Sequence, residues 1–287
     1  AGRVDLASLH TACAQLAHRG PDGHAIWTNE AGAVGFAHTR LAIVDPDPRA
    51  NQPMATPDGS LCVVFNGEIY NHRALRTCLE ACGHQFATDH SDTEILLHGY
   101  REWGVEGLLA ELDGMFAFVL WDEVLGQAHL CRDRLGIKPL FWEERGDCLV
   151  FCSDIRPLVE GKGAPPTLNR AAMKHYLTYL VTPAPDTMFE GINKLPAGCR
   201  AVFDRVNRLR PEVYWDRTPG SAAPSCESGA AAATVSSLLE TAVEERLMTD
   251  STMGVFLSGG VDSSAIATIT ARCADQKIHS FTIGYSD

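Results

Sequence analysis

The chain has 287 residues, 45% hydrophobic and 21% charged, which at roughly 100–200 residues per domain suits two domains, or one and part of another. A formal net charge of −12 argues against nucleic acid as a main partner, since a phosphate backbone needs a basic face. No apolar run reaches the roughly 20 residues of a membrane span and the first residues carry no signal-peptide pattern, so a soluble, cytoplasmic protein is expected.

Leu6, Leu9, Cys13 and Leu16 stand at helical spacing. His18-Arg19-Gly20-Pro21-Asp22-Gly23 then breaks the pattern, with Gly-Pro and Asp-Gly as turn signals. Such a loop is either a plain surface turn or, being dense in Arg, His and Asp, active-site material. Residues 33–38 and 41–44 read as strands on either side of Thr39-Arg40. Arg40 either caps a sheet edge or holds an anion bidentately, and taken alone the edge is preferred.

Residues 61–65 read as a buried strand ending in Asn66-Gly67-Glu68-Ile69-Tyr70-Asn71. Asn-Gly after a strand usually makes a hairpin, but a helix pattern follows (Leu75, Leu79, Cys82, with Gly83 as C-cap) and weakens that reading. Ser91-Asp92-Thr93-Glu94 before Ile95, Leu96, Tyr100 and Trp103 marks a helix start, and capping alone accounts for Asp92. Strands follow at 115–121, 128–131, 140–142 and 149–152. Helices and antiparallel-looking strands in blocks imply a layered α+β domain. The ten cysteines lack paired CxxC spacing; the closest pairs, Cys78/Cys82 and Cys148/Cys152, are expected to be buried free thiols.

Beyond residue 160 the pattern weakens to a helix at 173–180 and turns around a short strand at 190–198. A stretch rich in Pro, Ser, Ala and Gly at 218–229 marks a linker, and Val235, Leu238, Leu239, Ala242, Val243 and Leu247 give an amphipathic helix after it. An apolar run at 253–257 then leads into Ser258-Gly259-Gly260-Val261-Asp262-Ser263-Ser264, a helix pattern leads out, and a second apolar run occupies 278–283. That βαβ order with a glycine-rich turn suits phosphate binding by backbone N–H groups and a helix dipole. Without Gly-Lys-Ser/Thr it is not a Walker loop. Net negative charge is compatible with ATP there, because the loop works through dipoles and a metal.

Ser-Gly-Gly-x-Asp-Ser-Ser resembles the pyrophosphate loop of ATP pyrophosphatases, and Arg246-Leu247-Met248-Thr249-Asp250 with Gly254-Val255-Phe256-Leu257 resembles the asparagine synthetase branch. Residues 18–22, 39–45, 66–71, 91–94, 113–118 and 132–140 resemble, in order and spacing, the class II glutamine amidotransferase domain of that family. The resemblance implies an Ntn-hydrolase sandwich, two antiparallel sheets between helices, over residues 1–210. A linker at 211–230 and the start of an α/β ATP-pyrophosphatase domain with a parallel sheet at 231–287 would follow.

It also implies roles. Asn66 and Gly67 would form the oxyanion hole. Arg40, Leu41, Ile43, Val44, Glu68 and Asp92 would join them around glutamine, with Arg40 on its carboxylate and Asp92 on its ammonium. Leu257, Ser258, Gly259, Gly260, Asp262, Ser263, Ser264 and, near adenine, Ile283 would bind ATP. The family nucleophile is an N-terminal cysteine whose α-amine serves as base; the chain starts Ala1-Gly2, so the cysteine is expected just upstream and the chain is expected to be a fragment at both ends. The implied activity is asparagine synthesis from aspartate with ATP, Mg²⁺ and ammonia from glutamine, through a β-aspartyl-adenylate. Partners would be these small molecules, with neither nucleic acid nor membrane, and a homodimer is compatible. Two alternatives stand beside it: a related amidotransferase acting on a sugar acid, peptide or antibiotic precursor, and a β-lactam synthetase-like or regulatory protein with an inactive glutaminase domain.

Overall fold

A computed structural model describes residues 3–204, 206, 208–217, 228–274 and 276–284. They fall into two units, Ala1–Ala42 with Asp47–Asp216, and Ile43–Pro46 with Arg217–Asp287.

In the first unit, α1 (Leu6–Leu16) begins where the Asp5 carboxylate accepts the Ala7 N–H at 3.0 Å. The hairpin β1 (Gly23–Thr28) and β2 (Gly35–Arg40) follows, then β3 (Met54–Ala55), β4 (Leu61–Ile69), α2 (His72–Ala81), α3 (Asp92–Glu111), β5 (Gly114–Asp122) and β6 (Gln127–Arg132). After these come β7 (Phe141–Arg145), β8 (Cys148–Cys152), α4 (Ile155–Glu160), α5 (Arg170–Tyr179), β9 (Asn193–Lys194), β10 (Cys199–Phe203) and β11 (Arg210–Val213). A six-stranded sheet runs β11-β10-β6-β5-β4-β3, accompanied by the pair β1-β2 and the trio β8-β7-β9, with every pairing antiparallel.

Strand β4 shows why two layers form on the large sheet. Leu61, Val63, Phe65 and Ile69 alternate with Cys62 and Val64, and both sets are apolar and buried. The first set packs with Leu75 and Leu79 of α2 and Ile95, Leu96, Leu108 and Leu109 of α3. The second packs with Phe36 of β2, Leu140 and Trp142. Helix α1 lies on β2, and α4 on β7 and β8. The order helices, sheet, smaller sheets, helices is the α+β sandwich anticipated from the sequence.

Several local expectations are corrected. Residues 41–44 form no strand, and β2 instead runs to Arg40. β4 does not stop at Phe65 but continues through Asn66, Gly67 and Glu68, because β5 pairs with it residue for residue from Leu61 to Ile69. Cys78, Cys82 and Cys148 are free but exposed, not buried, and Cys152 is half-buried. The reason at α2 is plain: its inner face is already taken by His72, Leu75 and Leu79. Residues 211–213, expected in the linker, are part of β11. Linker residues 218–227 lie outside the described residues.

The second unit contains α6 (Ser228–Glu245), β12 (Gly254–Phe256), α7 (Val261–Cys273) and β13 (His279–Phe281). β12 and β13 pair in parallel with α7 between them, a βαβ unit. Helices α6 and α7 pack together, and Arg272 pairs with Glu240 across them. No helix among the described residues is long and apolar enough to cross a membrane.

Candidate active site

The site is built on the outer edge of β4. Odd-numbered residues of this strand turn their backbone N–H and C=O away from β5. Leu61 exchanges hydrogen bonds with Thr56, and Val63 pairs with Met54 of β3. β3 ends there. Farther along, no strand among the described residues pairs with this edge, and side chains take over. The Phe65 N–H donates to Gln52 Oε1 at 2.6 Å, and its carbonyl lies 3.2 Å from His38 Nε2. The Ile69 N–H donates to Asp92 Oδ2 at 3.1 Å.

Between these two capped positions lies Gly67. Its cross-strand partner Phe116 gives its N–H to Asp133 Oδ2 (3.2 Å) and accepts the Asp133 N–H (2.8 Å), so neither group bonds Gly67. The alternation therefore turns the Gly67 N–H to the open edge. A Cβ at this position would lie 2.1 Å from the Met115 carbonyl oxygen, which excludes any side chain. The neighbouring Asn66 amide nitrogen, Nδ2, is buried without a hydrogen-bond partner among the described residues. A buried orphan donor costs about 1–3 kcal/mol, which a ligand oxygen would relieve.

Asp92 is 7% exposed; its Oδ2 caps the Ile69 N–H and its Oδ1 accepts the Thr93 hydroxyl at 3.5 Å, while the helix N-cap, Ser91, makes no side-chain cap bond. Burial, with Glu68 nearby, raises its carboxyl to about 6, and the Ile69 N–H offsets part of that. Such a group favours a cationic ligand. Arg40, also buried, ends β2; its guanidinium donates to the Asp47 carbonyl (3.0 Å) and Asn51 Oδ1 (2.8 Å). Leu41 is 53% exposed. Ile43 and Val44 group with the second unit, where the Ile43 carbonyl accepts the Asp250 N–H at 3.0 Å. Asn66 also borders a cavity of about 1250 Å³ within the first unit, lined by Leu9, Cys13, Phe36, His38 and Val64 among others.

His38 and Gln52 escaped the sequence reading. The available signal was His38 standing two residues before Arg40, on the strand face that also carries Phe36.

In the second unit the loop after β12 is exposed. Gly259 has φ +81°, a left-handed conformation that glycine adopts without strain. The Ser258 and Ser263 hydroxyls lie 3.0 Å apart, and Gly260 is the N-cap of α7 with no side-chain cap bond. The first-turn N–H groups are thus left for an anion, beside the Ser264 and Asp262 side chains. Leu257 is tied to β13 through its N–H on the Phe281 carbonyl at 2.8 Å, and Ile283, 79% exposed, follows that strand. Among the described residues no group of three or more His, Cys, Asp or Glu side chains could hold a metal ion.

The geometry can be set beside known proteins. Residues 2–215 match the model of the glutamine amidotransferase domain, and residues 234–287 that of asparagine synthase. The chain is 36% identical over 281 residues to the glutamine-hydrolyzing asparagine synthetase 3 of Bacillus subtilis, covering 95% of this chain and 44% of that protein. It is 33% identical over 270 residues to Amidase chry2 of Gibberella zeae, covering 93% and 39%. It thus spans less than half the length of these curated relatives. In fold it is similar to the glutamine phosphoribosylpyrophosphate amidotransferase of B. subtilis, with a TM-score of 0.54 at 18% identity over 96% of this chain and 61% of that one. The chain belongs to the glutamine amidotransferase domain family, its residues 234–287 matching asparagine synthase.

Proposed function

We propose that residues 3–216 are the glutaminase of a glutamine-dependent asparagine synthetase, and that the second unit begins its ATP-using domain. The observation that carries this reading is the open position on the β4 edge. A glutamine carboxamide oxygen placed there receives the Gly67 N–H and Asn66 Nδ2, the pair of donors that a tetrahedral oxyanion needs. Asp92 takes the ammonium group and Arg40 the carboxylate, with Glu68 beside Asp92.

The nucleophile such a site requires is a cysteine thiolate, and an α-amine, of pKa about 7.7–8.0, is a base able to take its proton at neutral pH. Cys13, Cys62, Cys131 and Cys152 are ill suited to that role. Burial pushes the Cys13, Cys62 and Cys131 thiols up, and that of Cys152 to about 11, all away from the thiolate. Thiolate attack on the carboxamide carbon gives the oxyanion; its collapse releases ammonia, and water then frees glutamate.

In the second unit the Gly259-Gly260 turn and the start of α7 hold the ATP phosphates while the aspartate side-chain carboxylate attacks the α-phosphorus and pyrophosphate leaves. Ammonia displaces AMP and yields asparagine. A second reading, in which a different carboxylate is amidated, stands beside it because the chain spans only 44% of the synthetase it matches. The test is glutamine hydrolysis together with ATP–pyrophosphate exchange, in the polypeptide that carries residues 1–287, offering aspartate and a panel of other carboxylic acids. Aspartate-dependent exchange is expected; exchange with another acid alone would install the second reading, and no exchange with any acid would sink both.

A further inference from the structure

His38 lies on the face of β2 that looks toward the large sheet, and its Nε2 is 3.2 Å from the Phe65 carbonyl oxygen. A carbonyl oxygen only accepts, so Nε2 carries the proton and Nδ1 is left as a lone-pair acceptor. Nδ1 is buried without a partner among the described residues. Burial, with Arg40 adding, lowers the pKa of His38 to about 4, so the ring stays neutral in this one tautomer at physiological pH.

Gln52 grips the other half of the same peptide position. Its Oε1 accepts the Phe65 N–H at 2.6 Å, while its Nε2 donates to Thr93 Oγ1 at 3.2 Å. Phe65 is therefore held at both backbone groups by side chains, at the place where β3 has ended and the edge would otherwise lack support. The next residue is Asn66 and the one after it Gly67. A glycine inside an edge strand has no side chain to fix its peptide plane, so its orientation depends on its neighbours. Misplacing a reacting group by about 1 Å costs on the order of 100-fold in rate.

We propose that His38 is a positioning residue, whose Nε2–H clamps the Phe65 carbonyl and thereby fixes the direction of the Asn66 amide and the Gly67 N–H. The proposal rests on the glutaminase reading of the β4 edge. A group that only filled space would be replaceable by any side chain of similar volume; a clamp needs a donor at the Nε2 position. Glutamine is the side chain that offers one there with little change in volume, and leucine is the control that offers none.

The experiment is glutaminase kinetics in the polypeptide carrying residues 1–287, comparing His38→Gln and His38→Leu with the parent, alongside thermal unfolding and ¹⁵N chemical shifts of the His38 ring. For His38→Leu, kcat should fall about 10–100-fold while KM for glutamine moves less than about threefold. His38→Gln should recover most of kcat. The ring should report the Nε2–H tautomer from pH 6 to 8. Unchanged kcat in a folded His38→Leu, a loss confined to KM, equal losses in the two variants, or an Nδ1–H tautomer would each overturn the proposal. Should His38→Leu fail to fold, His38→Gln and the tautomer still decide it. A parent protein that shows the Nε2–H ring yet hydrolyses no glutamine would identify the glutaminase reading itself as the fault, and the proposal would fall with it.

Discussion

A buried carboxylate is a costly group, and the backbone N–H groups of Ile69, Thr93 and Asp92 itself offset only part of that cost for Asp92. Its folded pKa, about 6, stands above the usual carboxylate value, so the folded chain binds this proton more tightly than the unfolded one. The stability that the protonated form contributes is fully present below about pH 4 and is lost as pH rises through 6. At neutral pH the unliganded protein holds a destabilising charge that a ligand ammonium would offset. Asp92→Asn should therefore raise stability at pH 7.5 by about 1–3 kcal/mol, the gain vanishing near pH 4, while KM for glutamine rises at least about tenfold. Denaturant melts at the two pH values and steady-state kinetics check this; a less stable variant at pH 7.5 would refute it. At this scale Asp92, Arg40 and Asn66 were singled out because each sits in a short motif that resembles the family's. His38 and Gln52 were not, because they meet Phe65 only across sequence separations of 27 and 13 residues.

Strand β4 joins the core to the chemistry. Its alternation buries Val63 and Phe65 on one face and Cys62 and Val64 on the other, while a second alternation, of backbone groups, decides which peptides face the open edge. Asn66-Gly67 looked like the end of the strand because the dipeptide favours turns. Pairing with β5 overrides that preference over all nine residues of β4. Gly67 is then needed for space: a Cβ would lie 2.7 Å from Phe116 Cα as well as 2.1 Å from the Met115 oxygen. Gly67→Ala should destabilise the protein by at least about 2 kcal/mol, read as a lower denaturant midpoint, and remove glutaminase activity. A variant with the parent's midpoint would show that the edge yields more readily than the close approach implies.

For the whole molecule, the division into two units makes a separable prediction. Asp262, exposed in the first turn of α7, follows the Ser-Gly-Gly turn proposed to hold phosphate. Asp262→Ala should abolish ATP–pyrophosphate exchange and leave glutamine hydrolysis within about twofold of the parent; persistent exchange would remove Asp262 from the nucleotide site. The sequence by itself determined the layered α+β class and the βαβ unit with its Ser-Gly-Gly turn, while Arg40, Asn66, Gly67 and Asp92 were singled out only through the resemblance of their motifs to a family. Periodicity, glycine placement and helix starts are local signals, set within a few residues of chain. What only the tertiary structure decided was which backbone groups remain open. That depends on where β3 ends beside β4, on Asp133 occupying Phe116, and on His38, Gln52 and Asp92 capping the edge around Gly67. A hydrogen bond between distant segments leaves no periodic trace in either, and for that physical reason the edge had to be seen folded.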